Sequence, residues 1–255
     1  MKQNHPEEQI KSGNSWYTAN HFVSQLGAYG TRKVVENRWN VFQSMILHWM
    51  KKHKNSGAEL NFLDAGCGDG VNLVGMSRKL MNHSNIRYIG IDYSPLRVSR
   101  ASALNHLFHV QQASLYNLPF KDNIFDIVLC NHVLEHVPDL SLALGEIYRV
   151  LMPGGLLITG VPNEGCLMGR LRNRYVQPSI LRKTDHFHFF TEKSFGQSLI
   201  EKGFNIQSVE YETFFFPCTH INTLFSQFSI GHHIMLILLH LFPSQAGGFI
   251  VASVK

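Results

Sequence analysis

The stretch Leu63-Asp64-Ala65-Gly66-Cys67-Gly68-Asp69-Gly70 decides the fold of this chain. It closes an apolar run that starts at Leu60, and it ends in three glycines at alternate positions. This pattern predicts a buried β-strand that turns sharply into a helix beginning at Val71. Glycines there permit positive φ and a bare backbone, and the helix N-terminus offers free N–H groups to a carboxylate or phosphate. The spacing is G-x-G-x-G and departs from the dinucleotide fingerprint G-x-G-x-x-G.

The amino-acid composition restricts which classes of protein this chain can belong to. The 255 residues are 44% hydrophobic and 16% charged, which predicts one globular α/β domain with embellishments. A net charge of +5 is too weak to predict a nucleic-acid partner. Four cysteines without a C-x-x-C pair indicate a reducing, cytoplasmic compartment and no structural zinc. Residues 1–14 are polar and lack the apolar core of a signal peptide, and no apolar run is long enough for a membrane span.

The second predicted strand supports a βαβ unit around the glycines. Arg87 to Ile91 reads as this strand and is followed by Asp92, 22 residues after Gly70. A βαβ unit places an acid near that distance, where its carboxylate accepts from ribose hydroxyls. Phe108 to Gln112 predicts a short third strand.

Four stretches together resemble the class I S-adenosylmethionine-dependent methyltransferases. The glycine stretch resembles the first motif of that family, and Ala113-Ser-Leu-Tyr-Asn-Leu-Pro-Phe120 resembles its G-D-A-x-x-L-P-F. Val133-Leu-Glu-His-Val137 matches V-L-E-H-V, and Glu146 to Gly155 resembles E-x-x-R-V-L-K-P-G-G, with Met152 in the lysine position. The resemblance implies an α/β, Rossmann-like fold: a seven-stranded, mostly parallel sheet with helices on both faces. A helix is expected to end at a Pro-Gly-Gly turn before strand five, which is expected at Leu156 to Thr159. A later helix, capped by Thr191, is expected to include Ser194 to Gly203.

The resemblance also implies S-adenosylmethionine as cofactor and a set of residues that bind it. Ser114 stands where the family commonly has an acid that accepts from the adenine amine, and a hydroxyl accepts more weakly than a carboxylate. The expected cofactor-binding residues are Asp64, Gly66, Gly68, Gly70, Asp92, Tyr93, Ser114, Leu115 and Asn131.

Residues 1–54 are expected to form a tail and a helical lid, and residues 55–255 the methyltransferase domain, with a substrate-side insertion at about 164–190. That insertion holds Arg170, Arg172, Arg174, Arg182 and Lys183, and no acid lies between Gly165 and Lys183. It is read either as a solvated loop or as a lid for an anionic acceptor. The predicted acceptor-binding residues are Tyr17, His132, Arg170 and Arg182.

Three histidines are candidates for a general base: His136, His186 and His188. A base is needed only if the acceptor atom is a hydroxyl that loses its proton, and neutral histidine suits that task. A packing or capping role is the alternative for each. His186 and His188 also have strand-like same-face spacing, but no Asp, Glu or Cys partner lies at a diagnostic spacing, so we expect no metal.

The predicted activity is methylation of a small molecule, at the oxygen of a sugar, a lipid-linked precursor or a secondary metabolite. The alternatives are N-methylation of an amine or protein, and a protein that binds S-adenosylmethionine without catalysis. Near the C-terminus, Ile206 to Phe216 and Gly248 to Val254 predict the last two strands, with an apolar helix at Ile230 to Phe242 between them. The resemblance implies that these two strands pair antiparallel. We expect that helix to pack in the core; the alternative is an exposed patch that meets a membrane or a lipid-linked acceptor. The oligomeric state stays open.

Overall fold

The structure is a computed structural model. It describes residues 19–27, 29–53, 59–82, 85–176, 178, 185–212, 214, 216–218, 221, 224–225 and 228–255.

The described strands form one seven-stranded sheet in the order β3-β2-β1-β4-β5-β7-β6. Strands β1 to β5 run parallel to one another, and β7 lies antiparallel between β5 and β6. This confirms the predicted fold, including the antiparallel pair at the C-terminus. The strands are β1 Glu59–Ala65, β2 Asn85–Asp92, β3 Phe108–Gln112, β4 Phe125–Asn131, β5 Leu151–Pro162, β6 Asn205–Tyr211 and β7 Gly248–Val254.

Helices cover both faces of this sheet and divide its core in two. The long helix α2 buries Trp39, Phe42 and Ile46 on one face, together with α3; α5 and α7 pack on the other face. Helix α2, which belongs to the segment predicted as a lid, therefore contributes to the core. The described helices are α1 His21–Gly27, α2 Tyr29–His53, α3 Val71–Lys79, α4 Pro95–Ser102, α5 Leu140–Val150, α6 Leu167–Leu171, α7 Glu192–Glu201 and α8 Ser229–Leu241.

Strand β4 lies at the centre of the sheet, and every one of its residues is buried. Its apolar run can be buried on both faces because helices cover each side. Since β1 to β5 run parallel, their carboxyl ends meet at one edge of the sheet. Asp92, Asn131 and Pro162 end three of these strands there.

Some predicted boundaries were wrong. Strand β5 begins at Leu151, directly after α5. Its pairing with β4 shifts register between Leu151 and Leu156, so the residues of the expected Pro-Gly-Gly turn form an irregularity within the strand. Strand β6 ends at Tyr211, before Phe216. Helix α7 ends at Glu201, so Gly203 lies beyond it, with a φ of 100°.

The expectation that the C-terminal apolar helix packs in the core was also wrong for most of its surface. Gly231 and Met235 of α8 are buried, whereas Ile230 is 77% exposed and Ile237 is 60% exposed. Leu241 and the following Phe242 are exposed as well. Among the described residues, no helix has both the length and the apolar character that crossing a membrane requires.

Candidate functional site

A cavity of about 440 Å³ opens at the carboxyl ends of β1 and β4. The glycine loop forms one wall, α1 and α2 contribute a second, and the segment after β4 forms the floor. Its lining includes Gln25, Thr31, Val34, Val35, Arg38, Gly66, Gly68, Asn72, Asn131, His132, Glu135, His136 and His186.

The glycine loop is fixed by hydrogen bonds to the end of β2. The N–H groups of Gly66 and Cys67 both donate to the Ile91 carbonyl, at 2.9 and 2.8 Å. The Gly68 N–H donates to Oδ2 of Asp92 at 2.9 Å, and Oδ1 of Asp92 accepts from the Ser94 N–H at 2.8 Å. Asp92 therefore holds the loop in shape, a role that the sequence did not predict for it.

The glycines of the loop are needed for different reasons. Gly66 has a φ of 87°, and a Cβ there would collide with the side chain of Val133. Gly68 has a φ of 54°, and a Cβ built on it would meet no heavy atom within 4 Å. Gly66 thus lets the loop pack against the segment after β4, whereas Gly68 faces open space through which a ligand can reach the backbone.

Asp64 is a buried acid without a hydrogen-bond partner among the described residues. Burial, reinforced by the charge of Asp92, raises the pKa of Asp64 to about 8. A buried polar group without a partner is costly unless a ligand satisfies it. A cationic ligand would do so, and S-adenosylmethionine carries a sulfonium and an ammonium group. Asp64 lies outside the cavity lining but directly before the glycine loop that lines it, so its chemistry fits the implied cofactor.

The other predicted cofactor residues lie at neighbouring strand ends. Asn131 ends β4, lines the cavity and has an Oδ1 atom with no partner among the described residues. The N–H of Ala113 donates to the Asp92 carbonyl at 3.1 Å, which places Ser114 and Leu115 beside the end of β2. The Ser114 hydroxyl accepts from the Tyr116 N–H at 3.2 Å. Tyr93, Ser114 and Leu115 are partly buried and lie outside the cavity lining.

On the floor of the cavity, His132 lies between two glutamates. Its Nδ1 is 3.3 Å from Oε1 of Glu135, and its Nε2 is 3.6 Å from Oε2 of Glu212. Arg38 of α2 donates to Glu212 at 2.6 Å. Burial and Arg38 disfavour a charged imidazole, but the two carboxylates outweigh them and raise the pKa of His132 to about 9. His132 is therefore a cation at neutral pH, held within an ionic network.

A second group of acids and histidines adjoins the first. The His136 ring meets the His186 ring edge to face, with centroids 4.7 Å apart. Burial lowers the pKa of His136 below its usual value, so this imidazole is neutral near pH 7. Nδ1 of His186 is 2.7 Å from Oε2 of Glu164, and Glu164 also pairs with Arg172. Burial alone would raise the pKa of Glu164, but His186 and Arg172 lower it, so the carboxylate is charged.

The structure brings together three groups that the sequence did not connect. Ligating atoms of Glu135, His136 and His186 lie within 4.8 Å of one another. Local spacing does not reveal this cluster, because about 50 residues separate His186 from Glu135. Glu164 and Glu212 were missed too, because nothing local marks an acid that folding brings to a distant histidine.

The remaining predicted residues lie elsewhere. Nε2 of His188 is 2.8 Å from the Val137 carbonyl and its ring stacks on Phe190, which is a packing arrangement outside the cavity lining. Arg170 is exposed on α6 and does not line the cavity. Arg172 and Arg174 form a π-helical turn, not an extended face. Tyr17 and Arg182 lie outside the described residues, so their roles stay predictions.

Comparisons with known proteins agree with the motifs. Residues 63–159 match the family model described as a methyltransferase domain. The chain is 30% identical over 199 residues to a demethylmenaquinone methyltransferase of Lactiplantibacillus plantarum, covering 66% of this chain and 81% of that protein.

Two further matches are shorter or more distant. A chloroplastic tocopherol O-methyltransferase of Arabidopsis thaliana is 36% identical over 102 residues, which is 38% of this chain and 28% of that one. The solved structure of phosphoethanolamine N-methyltransferase 2 from Haemonchus contortus aligns with a TM-score of 0.58 at 18% identity, over 95% of this chain and 56% of that chain.

Proposed function

Because the chain belongs to the class I S-adenosylmethionine-dependent methyltransferases, we propose that it methylates a hydroxyl oxygen of a lipid-like small molecule. Oxygen is proposed as the methylated atom because the pair His136 and His186 lies in the same cavity as the glycine loop. An amine that is neutral at the pH of the reaction can attack a methyl group directly, whereas a hydroxyl must lose its proton and needs a group to receive it.

His136 has the properties of such a group. It is neutral near pH 7 because burial lowers its pKa, and a neutral imidazole nitrogen accepts a proton. When bound, S-adenosylmethionine supplies a methyl group made electrophilic by its sulfonium. Helices α1 and α2 line one side of the cavity, and the chain would gain rate by holding the acceptor oxygen in line with that methyl group.

The lipid-like character of the acceptor rests on the surface beside the site. Arg38 lines the main cavity and also a smaller one of about 90 Å³, whose wall includes Leu236 and Leu239 of the exposed apolar helix α8. The relatives named for demethylmenaquinone, tocopherol and sterol methylation carry names of lipid-soluble acceptors. An anionic acceptor is less well supported, because Arg172 of the insertion already pairs with Glu164.

The test is an acceptor panel followed by mutation. We expect the purified chain to convert S-adenosylmethionine to S-adenosylhomocysteine with a hydroquinone or an alkylphenol, and not with a primary amine of similar size. The variant His136→Asn should lower kcat about 100-fold with unchanged cofactor affinity by calorimetry, since general-base catalysis contributes about 10²–10⁴-fold. The matched control is His188→Asn, whose imidazole lies outside the cavity. Preference for the amine, or full turnover by His136→Asn, would reject the proposal.

A further inference from the structure

We propose that Glu135, His136 and His186 bind a divalent transition-metal ion at the floor of the cavity. The binding site is inferred from the arrangement of these three side chains. The role given to the ion, activation of the acceptor hydroxyl, rests on the proposed function.

The three groups converge closely enough to share one ion. Their ligating atoms lie within 4.8 Å of one another, and Nε2 of His136 is 4.0 Å from Oε1 of Glu135. Bonds of about 2.0–2.2 Å to a common ion bring neighbouring ligand atoms to roughly 3–3.5 Å. The site therefore has to close by roughly 1 Å, which small side-chain rotations can supply.

Burial and hydrogen bonding give Glu135 a reason to bind a cation. Its side chain is 1% exposed, and its Oε2 atom has no hydrogen-bond partner among the residues that the structure describes. A buried carboxylate oxygen without a partner is costly, and a bound ion would remove that cost.

Glu164 occupies the position of an outer-sphere carboxylate. Histidines that bind metals almost always donate their other ring N–H to a carboxylate or carbonyl, which fixes the tautomer and the ring orientation. Nδ1 of His186 makes such a contact with Glu164 at 2.7 Å, so Nε2 is the nitrogen that would bind the ion. Arg172 in turn pairs with Glu164 and holds it in place.

The donor set selects the kind of ion. Two imidazoles and one carboxylate suit Zn²⁺, Fe²⁺, Mn²⁺ or Co²⁺, whereas Mg²⁺ and Ca²⁺ prefer sites made of oxygen atoms alone. Three protein ligands leave at least one coordination position for a water or an acceptor oxygen.

An ion in this position would take over activation of the hydroxyl from His136, which then serves as a ligand. The bound hydroxyl would lose its proton to solvent, because the cation lowers the hydroxyl pKa. The resulting alkoxide oxygen forms a bond to the methyl carbon as the carbon–sulfur bond breaks, and the electron pair stays on sulfur. The products are the methyl ether and S-adenosylhomocysteine.

The experiment titrates the full chain, without a histidine tag and pretreated with a chelator, with Co²⁺ and Zn²⁺. Co²⁺ reports its coordination through visible absorption bands, and calorimetry gives the affinity for Zn²⁺. We expect one ion per chain, and a dissociation constant at least 100-fold higher in Glu135→Gln and in His186→Asn. The positioning variant Glu164→Gln should weaken binding about 10–100-fold and alter the Co²⁺ spectrum. The control His188→Asn should bind like the unmodified chain.

Thermal unfolding separates lost binding from lost folding, since the metal should raise the Tm of the unmodified chain and of His188→Asn but not of His186→Asn. Equal affinity in all five proteins, or no saturable binding, would overturn the metal site. Because binding is measured without acceptor, hydroxyl methylation by a chain that binds no metal would leave the proposed function standing and reject only the ion. Tight metal binding without methyl transfer to any hydroxyl would reject the proposed function alone.

Discussion

Asp92 holds the glycine loop through its side chain and still has lone pairs that a ligand can use. Its two oxygens accept from the Gly68 and Ser94 N–H groups, and each oxygen has a further lone pair for a ribose hydroxyl. Burial raises the pKa of Asp92, and the two backbone hydrogen bonds oppose this. The acid that the spacing predicted for ribose binding also fixes the loop that precedes the cofactor site.

We therefore expect Asp92→Ala to weaken S-adenosylmethionine binding by about 10-fold or more, since a hydrogen bond to a charged group contributes about 1.5–3 kcal/mol. The matched control is Asp122→Ala, which removes an exposed acid that pairs with Arg149. Calorimetric titration compares the affinities, and circular dichroism checks folding. Near-normal affinity in Asp92→Ala would remove this residue from the cofactor site. Gly66→Val is unsuitable for this test, because its side chain would collide with Val133.

Ser114 offers a test of the adenine side of the site. Its hydroxyl accepts from the Tyr116 N–H, and an aspartate can accept from the same N–H in an Asx turn. The second carboxylate oxygen would then be available to the adenine amine. We expect Ser114→Asp to bind S-adenosylmethionine as tightly as the original chain or more tightly, and Ser114→Ala to bind no more tightly. A large loss of affinity in the aspartate variant would show that the adenine is held elsewhere.

His132 should make stability depend on pH in a defined window. Its pKa rises from an ordinary value near 6.5 to about 9 in the folded chain. Because folding raises this pKa, the stabilisation is complete below about pH 6.5 and is lost as the pH rises through about 9. We expect urea unfolding of His132→Asn to lack that decrease between pH 6.5 and 9, whereas the control His109→Asn on β3 should retain it. If the free energy of unfolding changed with pH in the same way for His132→Asn and for the unmodified chain, this would contradict the ionic network.

At the scale of elements, the insertion after β5 is organised by its ion pair. Arg172 lies in a π-helical turn that follows α6, and its side chain is 14% exposed beside the nearly buried Glu164. The arginines at 170, 172 and 174 occupy alternate positions. On a strand they would share one face, but helical geometry spreads them around the segment. Arg174 is exposed over the Tyr175 ring.

We expect Arg172→Ala to lower the free energy of unfolding by about 2–4 kcal/mol, because it leaves the charged Glu164 buried with one partner fewer. Arg174→Ala should change it by less than about 0.5 kcal/mol, as is usual for exposed positions. Urea denaturation of both variants measures the difference. Equal stability of the two would mean that the pair with Glu164 contributes nothing to the insertion.

At the scale of the whole molecule, the sequence predicted the features that are local and missed those that folding creates. The seven-stranded, mostly parallel sheet and its antiparallel C-terminal pair were implied by the family resemblance, which rests on local motifs such as Asp64 to Gly70. The Arg38–Glu212 pair joins residues 174 positions apart, so no local pattern could reveal it. Helix α8 was misassigned because an apolar sequence alone does not determine whether a partner surface covers it.

The exposed face of α8 carries an apolar patch. Ile230, Ile234, Ile237 and Leu241 present apolar side chains to solvent, and Phe242 extends the patch beyond the helix. Soluble proteins rarely leave large contiguous apolar surface uncovered unless it meets a partner or a membrane. Lipid-like molecules reside in membranes, so a surface that rests on the bilayer would bring the cavity to the acceptor proposed above.

We expect the chain to co-sediment with liposomes, and Ile230→Glu combined with Ile237→Glu to reduce the bound fraction at least fivefold. The control Ile200→Glu alters an exposed isoleucine on α7, far along the chain from α8, and should bind normally. Exposed Arg170 and Arg174 should favour vesicles that contain anionic lipid, an effect that salt would weaken. If the unmodified chain sediments with neither neutral nor anionic vesicles, α8 has no membrane role, because burial of its apolar face is what would supply binding energy to a neutral bilayer.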